Sequence, residues 1–301
     1  MSIQIKDITK FYGQQKALDN VSFDIGSKEV VGFLGPNGAG KSTMMKIITC
    51  YIPPSSGKAT VCGYDVLEDS MEVRKRVGYL PEHTPLYLEM YVKEYLRFIA
   101  AIHKLSNVKE KVEEMIETVG LTLERNKKIG ALSKGYRQRV GLAQAMIHDP
   151  EVLILDEPTS GLDPNQLEDI RGLIKNLGKK KTVMLSTHIM QEVEAICDRV
   201  IIINKGSIVA NKSAKDLQKY EDNKQVVFLE FDKTVSKSML SKVADIKELK
   251  QLKDNKWVIE TSSSEDIRRT MAEFAKNNDL LILEMRIEEQ TIEDVFKSLT
   301  K

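Results

Sequence analysis

An unbroken apolar run that enters a glycine-rich loop and then a helical pattern constrains the fold of this 301-residue chain most strongly. The run is EVVGFLG, the loop is PNGAGKST and the helical pattern is MMKIITCY. Residues 35–42, GPNGAGKS, fit the pattern G-x-x-x-x-G-K-[ST], whose glycines let successive backbone N–H groups surround a phosphate. The helix that follows adds the positive end of its dipole. We therefore expect a phosphate-binding loop, and the alternative is a plain glycine-rich turn.

Separate roles are expected for the residues of this loop. Lys41 would reach the β- and γ-phosphates of a nucleotide, and Ser42 would ligate Mg²⁺. The residues expected to contact the nucleotide here are Gly35, Pro36, Asn37, Gly38, Ala39, Gly40, Lys41, Ser42 and Thr43.

Two acidic residues follow a second apolar run, VLILD at residues 152–156. Carboxylates are costly inside an apolar core, so both acids are expected to leave it at the carboxyl edge of a sheet, where α/β proteins bind ligands. Asp156 suits a Mg²⁺ contact through water, and Glu157 suits a general base for an attacking water. The alternative is that the two acids cap a helix.

Further apolar runs, TVMLSTH at 182–188 and RVIIINKG at 199–206, predict more strands of a parallel sheet buried on both faces. Helical stretches between the runs make the core α/β. Near the N-terminus, IQIKDI and VSFDI alternate like half-buried antiparallel strands, with FYGQQKAL interpreted as the turn between them. A helical pattern over residues 90–120, uninterrupted by any strand, predicts an inserted helical subdomain, which we place at about residues 88–150.

The composition shifts after about residue 220, and the pattern that follows alternates strands and helices in the order βαββαβ. This order predicts a small α+β domain of the ferredoxin-like type. The predicted domains are residues 1–220 and 221–301.

Composition and charge exclude several classes of protein. The formal net charge of +1 creates no overall field that favours nucleic acid, so no nucleic-acid partner is expected. Three cysteines without CxxC spacing indicate neither a zinc site nor a disulfide framework, which fits a reducing cytosol. The N-terminus has no signal pattern, and no stretch reaches 18 uninterrupted apolar residues.

Six motifs together resemble the ATP-binding subunits of ABC transporters over residues 1 to about 220. They are FYG with Tyr12, GPNGAGKST, LSKGYRQR at 132–139, VLILDEP, SGLD at 160–163, and STH ending at His188. The resemblance implies an α/β P-loop NTPase core of ABC type, with an antiparallel β subdomain, the inserted helical subdomain and the small C-terminal domain. It also implies an ATPase that uses ATP and Mg²⁺.

The resemblance assigns roles to the remaining motif residues. Tyr12 would stack on adenine, although an exposed tyrosine after a strand is often ordinary surface. His188 would hydrogen-bond towards the γ-phosphate, although a lone histidine at a strand end is often structural. Ser133, a candidate N-cap, and Gly135 would contact the ATP held by a second subunit, with Asp163 across the interface.

Three positions depart from the common family pattern. Lys134 and Tyr136 differ from the usual signature LSGGQ, which leaves the glutamine's side-chain contacts in doubt. Glu82, in YLPEHTPLY, stands where the family commonly has a glutamine that touches Mg²⁺ or the attacking water. A carboxylate is a suitable Mg²⁺ ligand, but it adds charge beside Asp156 and Glu157. The alternative is that Glu82 is a solvated loop residue.

The resemblance is greatest to the exporter branch, and within it to the ATP-binding subunits associated with bacterial gliding motility. It implies a separately encoded membrane permease, a second copy of this chain or a homologous ATPase subunit, and a cytoplasmic location at the inner membrane. One alternative is a soluble ABC-type ATPase acting on ribosomes or nucleic acid. Another is a nearly inactive regulatory nucleotide binder, against which the presence of Glu157 and His188 argues.

Overall fold

The chain forms two compact units in the computed structural model, Met1–Ala214 with Thr300, and Lys215–Leu299. The structure describes residues 1–218, 225–241, 243, 246–253, 255–261, 267–288 and 292–300. The domain boundary predicted at residues 220 and 221 lies outside the described residues. Each unit has its own sheet and its own apolar core.

The first unit combines strands and helices along its whole length. Its strands are Ile3–Tyr12 (β1), Gln15–Ile25 (β2), Val30–Leu34 (β3), Ser56–Val61 (β4), Tyr64–Asp65 (β5), Val77–Leu80 (β6), Val152–Asp156 (β7), Thr182–Ser186 (β8), Arg199–Asn204 (β9) and Ser207–Ser213 (β10). Its helices are Lys41–Ile48 (α1), Ser70–Arg76 (α2), Val92–Ile102 (α3), Val108–Thr118 (α4), Lys134–Met146 (α5), Pro164–Gly178 (α6) and Met190–Ile196 (α7). The short helix Ala214–Gln218 (α8) begins at the end of this unit.

The central sheet has the order β10-β9-β3-β8-β7-β6. The strands from β9 to β6 are parallel, and β10 pairs antiparallel with β9 at one edge. Every residue of β3, β7 and β8 is buried, which confirms the parallel sheet predicted from the unbroken apolar runs. β8 ends at Ser186, so Thr187 and His188 lie beyond the strand that was predicted to include them.

A second, antiparallel sheet has the order β2-β1-β4-β5. The sequence predicted this sheet, but the turn proposed for FYGQQKAL was too long. β1 continues to Tyr12 and β2 begins at Gln15, and these two residues pair directly. The chain reverses this tightly because Gly13 adopts a positive φ of 58°, which glycine reaches without steric cost.

The inserted helical subdomain contains α3, α4 and α5, which share an apolar core separate from the core beneath the sheets. Buried side chains from each helix meet there, including Leu96, Ile116 and Val140. The spacing of apolar residues that predicted these amphipathic helices is the spacing that fills this core.

The second unit contains one sheet and the helices around it. Its elements are Gln225–Phe231 (β11), Lys237–Leu240 (α9), Ile246–Lys253 (β12), Lys256–Thr261 (β13), Arg268–Asn277 (α10), Ile282–Glu288 (β14) and Ile292–Thr300 (α11). The sheet order is β12-β13-β11-β14 and every pair is antiparallel, which is the ferredoxin-like arrangement predicted from βαββαβ. Trp257 is 1% exposed in its core.

Two helices of this unit differ from their sequence predictions. The helix predicted over KSMLSKVADI is helical at Lys237–Leu240, and residues 242, 244 and 245 lie outside the described residues. The helix predicted over SEDIRRTMAEFAKNN is described from Arg268, because its first residues, 264–266, also lie outside.

A helix that spans a bilayer needs about 20 mainly apolar residues. Within the described ranges, no helix has both the length and the apolar character that crossing a membrane requires.

Candidate functional site

The loop between β3 and α1 has the backbone shape that phosphate binding requires. A Cβ atom on Gly35 would lie 2.4 Å from the carbonyl oxygen of Ile203, so only glycine fits this close approach. Gly40, the N-cap of α1, has a φ of 110°, which side chains strongly disfavour. The two glycines let the loop turn directly into α1, whose first residues are Lys41 and Ser42.

Four neighbouring parallel strands bring their carboxyl ends to this loop. β3, β8, β7 and β6 are adjacent in the sheet, and side chains that follow them converge on a pocket of about 500 Å³. The pocket is lined by Tyr12, Gln15, Ala17, Asn37, Gly38, Gly40, Lys41, Ser42, Thr43, Glu82, Asp156, Glu157, Ser160 and His188. It is large enough to hold a ligand of nucleotide size.

Lys41 is fixed at the mouth of the loop. Its Nζ donates to the carbonyl oxygen of Gly35 at 2.7 Å and to that of Pro36 at 3.2 Å. Burial lowers the pKa of Lys41, while the charges of Glu157, Asp156 and Glu82 act in the opposite direction. The Lys41 ammonium therefore lies within electrostatic reach of three carboxylates. A phosphate in the pocket would lie between the ammonium and these carboxylates.

Asp156 and Glu157 are held by Ser186, which faces Asp156 across the β7–β8 pair. The Ser186 hydroxyl donates to Oδ1 of Asp156 at 2.5 Å and accepts the backbone N–H of Glu157 at 3.0 Å. The same N–H also lies 3.2 Å from the carbonyl oxygen of Ser186. Glu157 has a φ of 51°, a left-handed conformation that costs about 1–3 kcal/mol in a residue with a side chain.

Glu157 and His188 form a direct pair. Nδ1 of His188 lies 2.8 Å from Oε2 of Glu157, and the histidine side chain is 64% exposed while the glutamate is 12% exposed. Burial raises the pKa of Glu157, whereas His188 and Lys41 lower it and Asp156 raises it. A carboxylate with a raised pKa is a better proton acceptor, as a general base requires.

Glu82 lies at the wall shared by two cavities. It lines the pocket described above and also a second cavity of about 390 Å³ beside it, and Ser160 does the same. The Glu82 side chain is 51% exposed. The structure therefore brings Glu82 into the electrostatic surroundings of Lys41, as the hypothesis of a metal or water contact requires, without burying it.

Tyr12 ends β1 and lines the pocket. Tyr12 is 47% exposed, and the Lys10 ammonium lies 5.5 Å from the centre of its ring. An exposed aromatic face at the rim of a phosphate pocket is available to stack on a planar base.

Comparisons with known proteins agree with this geometry. The family model for the ABC transporter matches residues 18–160. The bacitracin transport ATP-binding protein BcrA of Bacillus licheniformis is 32% identical, over 99% of this chain and 96% of that protein. The chain belongs to the ABC transporter ATP-binding proteins. It is accordingly an ABC-type ATPase with the P-loop NTPase fold.

Two further matches each cover about 70% of this ABC ATPase. The ABC transporter ATP-binding protein NatA of Bacillus subtilis (strain 168) is 38% identical over 73% of this chain and 91% of that protein. A solved dimeric ATP-binding cassette in a post-hydrolysis state, bound to ADP and Pi, superposes with a TM-score of 0.65 and 28% identity. It covers 70% of this chain and 98% of that one.

The structure places the three predicted site residues of the LSKGYRQR and SGLD motifs outside the pocket. Ser133 is the N-cap of α5, as predicted, and accepts the backbone N–H of Tyr136 at 3.4 Å. Gly135 is buried, where a Cβ atom would overlap the side chain of Gln166. Asp163 is the N-cap of α6 and accepts the N–H of Gln166 at 2.9 Å. One chain alone does not bring these residues to the phosphate loop.

Of the predicted loop residues, Gly35, Pro36 and Ala39 form the backbone of the loop without lining the pocket. Ala39 is 3% exposed and packs in the core. Their part in the loop is therefore to set its shape.

Sequence reasoning missed several residues of the site. Gln15 and Ala17 line the pocket because β2 begins earlier than predicted and returns beside Tyr12. Ser160 was present in the motif SGLD but received no role. Ser186 belongs to the motif STH, and the signal that it matters is a hydroxyl at the end of an otherwise apolar strand.

Proposed function

We propose that this chain is the ATP-hydrolysing subunit of an ABC transporter, which dimerises around two Mg·ATP and drives a separate membrane permease in the direction of export. The observation that carries the proposal is the meeting of the phosphate loop, Glu82, Asp156, Glu157 and His188 in one pocket. Phosphoryl transfer depends mainly on positioning and electrostatic stabilisation, which such a pocket supplies.

Hydrolysis follows from the arrangement of these side chains. Glu157 accepts a proton from water while the water oxygen forms a bond to the γ-phosphorus. The bond from the γ-phosphorus to the bridging oxygen breaks, and its electron pair remains on ADP, which leaves ADP and inorganic phosphate. Lys41 holds the phosphates, and His188 holds the carboxylate of Glu157 in place.

The donors in the pocket fit Mg²⁺. Ser42, Asp156 and Glu82 offer hydroxyl and carboxylate oxygens, the ligand type that Mg²⁺ prefers. Among the described residues no group of three His, Cys, Asp or Glu side chains forms a complete metal site, so phosphate oxygens and water would supply the other ligands. Mg²⁺ held by these residues would neutralise part of the phosphate charge.

Dimerisation is inferred from the residues that lie outside the pocket. The N-terminus of α5 is capped by exposed Ser133, and its N–H groups and dipole would suit the γ-phosphate of a second subunit. The solved cassette that matches this fold is dimeric, which supports the same assembly here.

The permease contact is proposed for the second cavity, which Glu82 shares with the nucleotide pocket. The cavity is lined by residues that include Leu86, Leu88, Arg137 and Gln138. Leu88 is 46% exposed, and an exposed apolar residue at a cavity rim is typical of a protein contact. This contact would hold the chain at the cytoplasmic face of the membrane.

Export is supported by similarity to BcrA, whose name assigns it to bacitracin transport. The link to gliding motility stays a prediction, because the names of the relatives reported above do not include it. No observation favours action on ribosomes or nucleic acid.

Co-expression with a candidate permease tests the proposal. We expect this chain to sediment with membranes that contain the permease and to remain soluble without it. The variant Leu88→Lys should lose this retention, whereas Leu123→Lys, at a position 88% exposed elsewhere in the helical subdomain, should keep it. A chain that stays wholly soluble beside its permease would contradict the proposal.

A further inference from the structure

We propose that Ser186 is a positioning residue that sets the placement of Asp156 and Glu157 relative to each other. The inference rests on the proposed roles of Asp156 at the metal and Glu157 as general base. Ser186 itself would touch neither the nucleotide nor the attacking water, since it is 0% exposed and does not line the pocket.

The geometry uses both hydrogen-bonding capacities of one hydroxyl. A serine hydroxyl has one proton to donate and lone pairs to accept with. The Ser186 proton goes to Oδ1 of Asp156 at 2.5 Å, and a lone pair accepts the N–H of Glu157 at 3.0 Å. One atom therefore fixes the side chain of the first acid and the backbone of the second.

Sheet formation does not explain this hydroxyl. The three preceding residues of β8, Val183, Met184 and Leu185, are apolar and 0% exposed, so an apolar residue would suit the next buried position. The backbone carbonyl of Ser186 already lies 3.2 Å from the N–H of Glu157. Burying a hydroxyl is unfavourable unless it is hydrogen-bonded, and the Ser186 hydroxyl bonds to the two acids.

The hydrogen bond from the N–H of Glu157 to the Ser186 hydroxyl is important because the backbone of Glu157 is left-handed. Such conformations persist where the surrounding structure holds them in place. The N–H of Glu157 is bound by both the hydroxyl and the carbonyl of Ser186, while His188 holds the side chain. Without the hydroxyl, the carboxylate of Asp156 could turn towards Lys41, and Glu157 could shift along the pocket.

The variant Ser186→Ala tests the proposal. Because hydrogen bonds to charged groups contribute about 1.5–3 kcal/mol and small misplacements slow catalysis, kcat should fall about tenfold to a hundredfold. The KM for ATP should change little, since the phosphate loop is formed by β3 and α1. The affinity for Mn²⁺ in the presence of ATP, measured by electron paramagnetic resonance in a Glu157→Gln background, should also fall. Ser186→Thr, which keeps a hydroxyl, should restore both properties.

A matched control lies on the same strand. Thr182 is 2% exposed, and its hydroxyl bonds to Ser2, Gly26 and Lys28 at the other end of β8. Thr182→Val should lower the free energy of unfolding without changing kcat or Mn²⁺ affinity. If Ser186→Ala behaves like Thr182→Val, the inference is overturned.

Failure of this inference is distinguishable from failure of the proposed function. An inactive Glu157→Gln variant together with a fully active Ser186→Ala variant would overturn the inference alone. Normal turnover by Glu157→Gln would overturn the proposed function as well. If Ser186→Ala does not fold, Ser186→Cys, of similar shape but with a weaker donor, should give an intermediate loss of kcat and Mn²⁺ affinity; unchanged values would overturn the inference.

Discussion

Nδ1 of His188 lies 2.8 Å from Oε2 of Glu157, and this contact joins the residues that follow β8 and β7. The histidine is accessible to a ligand, whereas the glutamate is nearly enclosed. The pair thus connects the proposed general base to a group that can also face the γ-phosphate. Its electrostatics lead to a prediction about pH.

Glu157 must be ionised to act as a general base, and burial raises its pKa above the ordinary glutamate value of 4.5. In a plot of kcat/KM against pH, the ascending limb should therefore lie at a pH above 4.5. His188 lowers that pKa, so His188→Ala should move the limb to higher pH. Protonated Glu157 favours the folded state, so its contribution to stability is present below the ordinary pKa and is lost as the pH rises through the raised pKa. Steady-state hydrolysis measured against pH tests the limb. His103→Ala is the control, and an unmoved limb in His188→Ala would contradict the assigned coupling.

Substitution of Tyr12 should weaken nucleotide binding. We expect Tyr12→Ala to raise the KM for ATP about threefold to tenfold, since aromatic stacking contributes about 0.5–1.5 kcal/mol, while Tyr12→Phe keeps the ring and the KM. The neighbouring Phe11 is 43% exposed but does not line the pocket, so Phe11→Ala should leave the KM unchanged. Equal effects at the two positions would show that stacking on adenine is not the role of Tyr12.

The course of the chain in this region shows where sequence reasoning reaches its limit. Buried apolar runs and glycine patterns report local requirements, so the parallel sheet and the phosphate loop could be predicted. The turn after Tyr12 was predicted too long, because strand pairing across Gly13 depends on one backbone angle. The ferredoxin-like order of the second unit could be predicted, because short connections leave few ways to pair its strands.

The contacts within the site could be predicted only in part. The residue types at Asp156, Glu157 and His188 indicated their chemistry, but the bond from Ser186 to Asp156 joins residues 30 positions apart. Asp163 illustrates the opposite case, since its observed role is to cap α6, a local function that the family resemblance did not predict. Its proposed place at a dimer interface needs a second chain.

The proposed metal contact of Glu82 can be tested by the dependence of hydrolysis on Mg²⁺ concentration. If the Glu82 carboxylate contributes to the metal site, the variant Glu82→Gln should bind Mg²⁺ more weakly and require more Mg²⁺ for half-maximal hydrolysis. The KM for ATP at saturating Mg²⁺ should change little. Titration of activity with Mg²⁺ measures this. Glu114→Gln, at a position 66% exposed on α4, is the control. Identical Mg²⁺ curves for Glu82→Gln and the native chain would make Glu82 a solvated loop residue.

His148 should make the stability of the first unit depend on pH. Its Nε2 lies 3.1 Å from the carbonyl oxygen of Val77, its ring stacks on His103 at 4.0 Å, and burial lowers its pKa to about 4 from 6.5. The unfolded chain therefore binds more protons between these two values, so the free energy of unfolding should fall as the pH drops through that window. Chemical denaturation at several pH values measures this.

The variant His148→Gln keeps a donor for Val77 but does not titrate, so its unfolding should depend less on pH between 6.5 and 4. His83→Gln, at a side chain 90% exposed, should behave like the native chain. An unchanged pH dependence in His148→Gln would contradict the assignment.

The most direct test of the central claim is the mass and nucleotide content of Glu157→Gln in saturating Mg·ATP. Because the carboxamide cannot accept the proton from water, hydrolysis should stop and ATP should remain bound. Light scattering after size-exclusion chromatography should then show a dimer with one intact ATP per chain, and adding Ser133→Arg should leave ATP-bound monomers. A Glu157→Gln variant that stays monomeric in ATP, or that hydrolyses ATP at the native rate, would contradict the account.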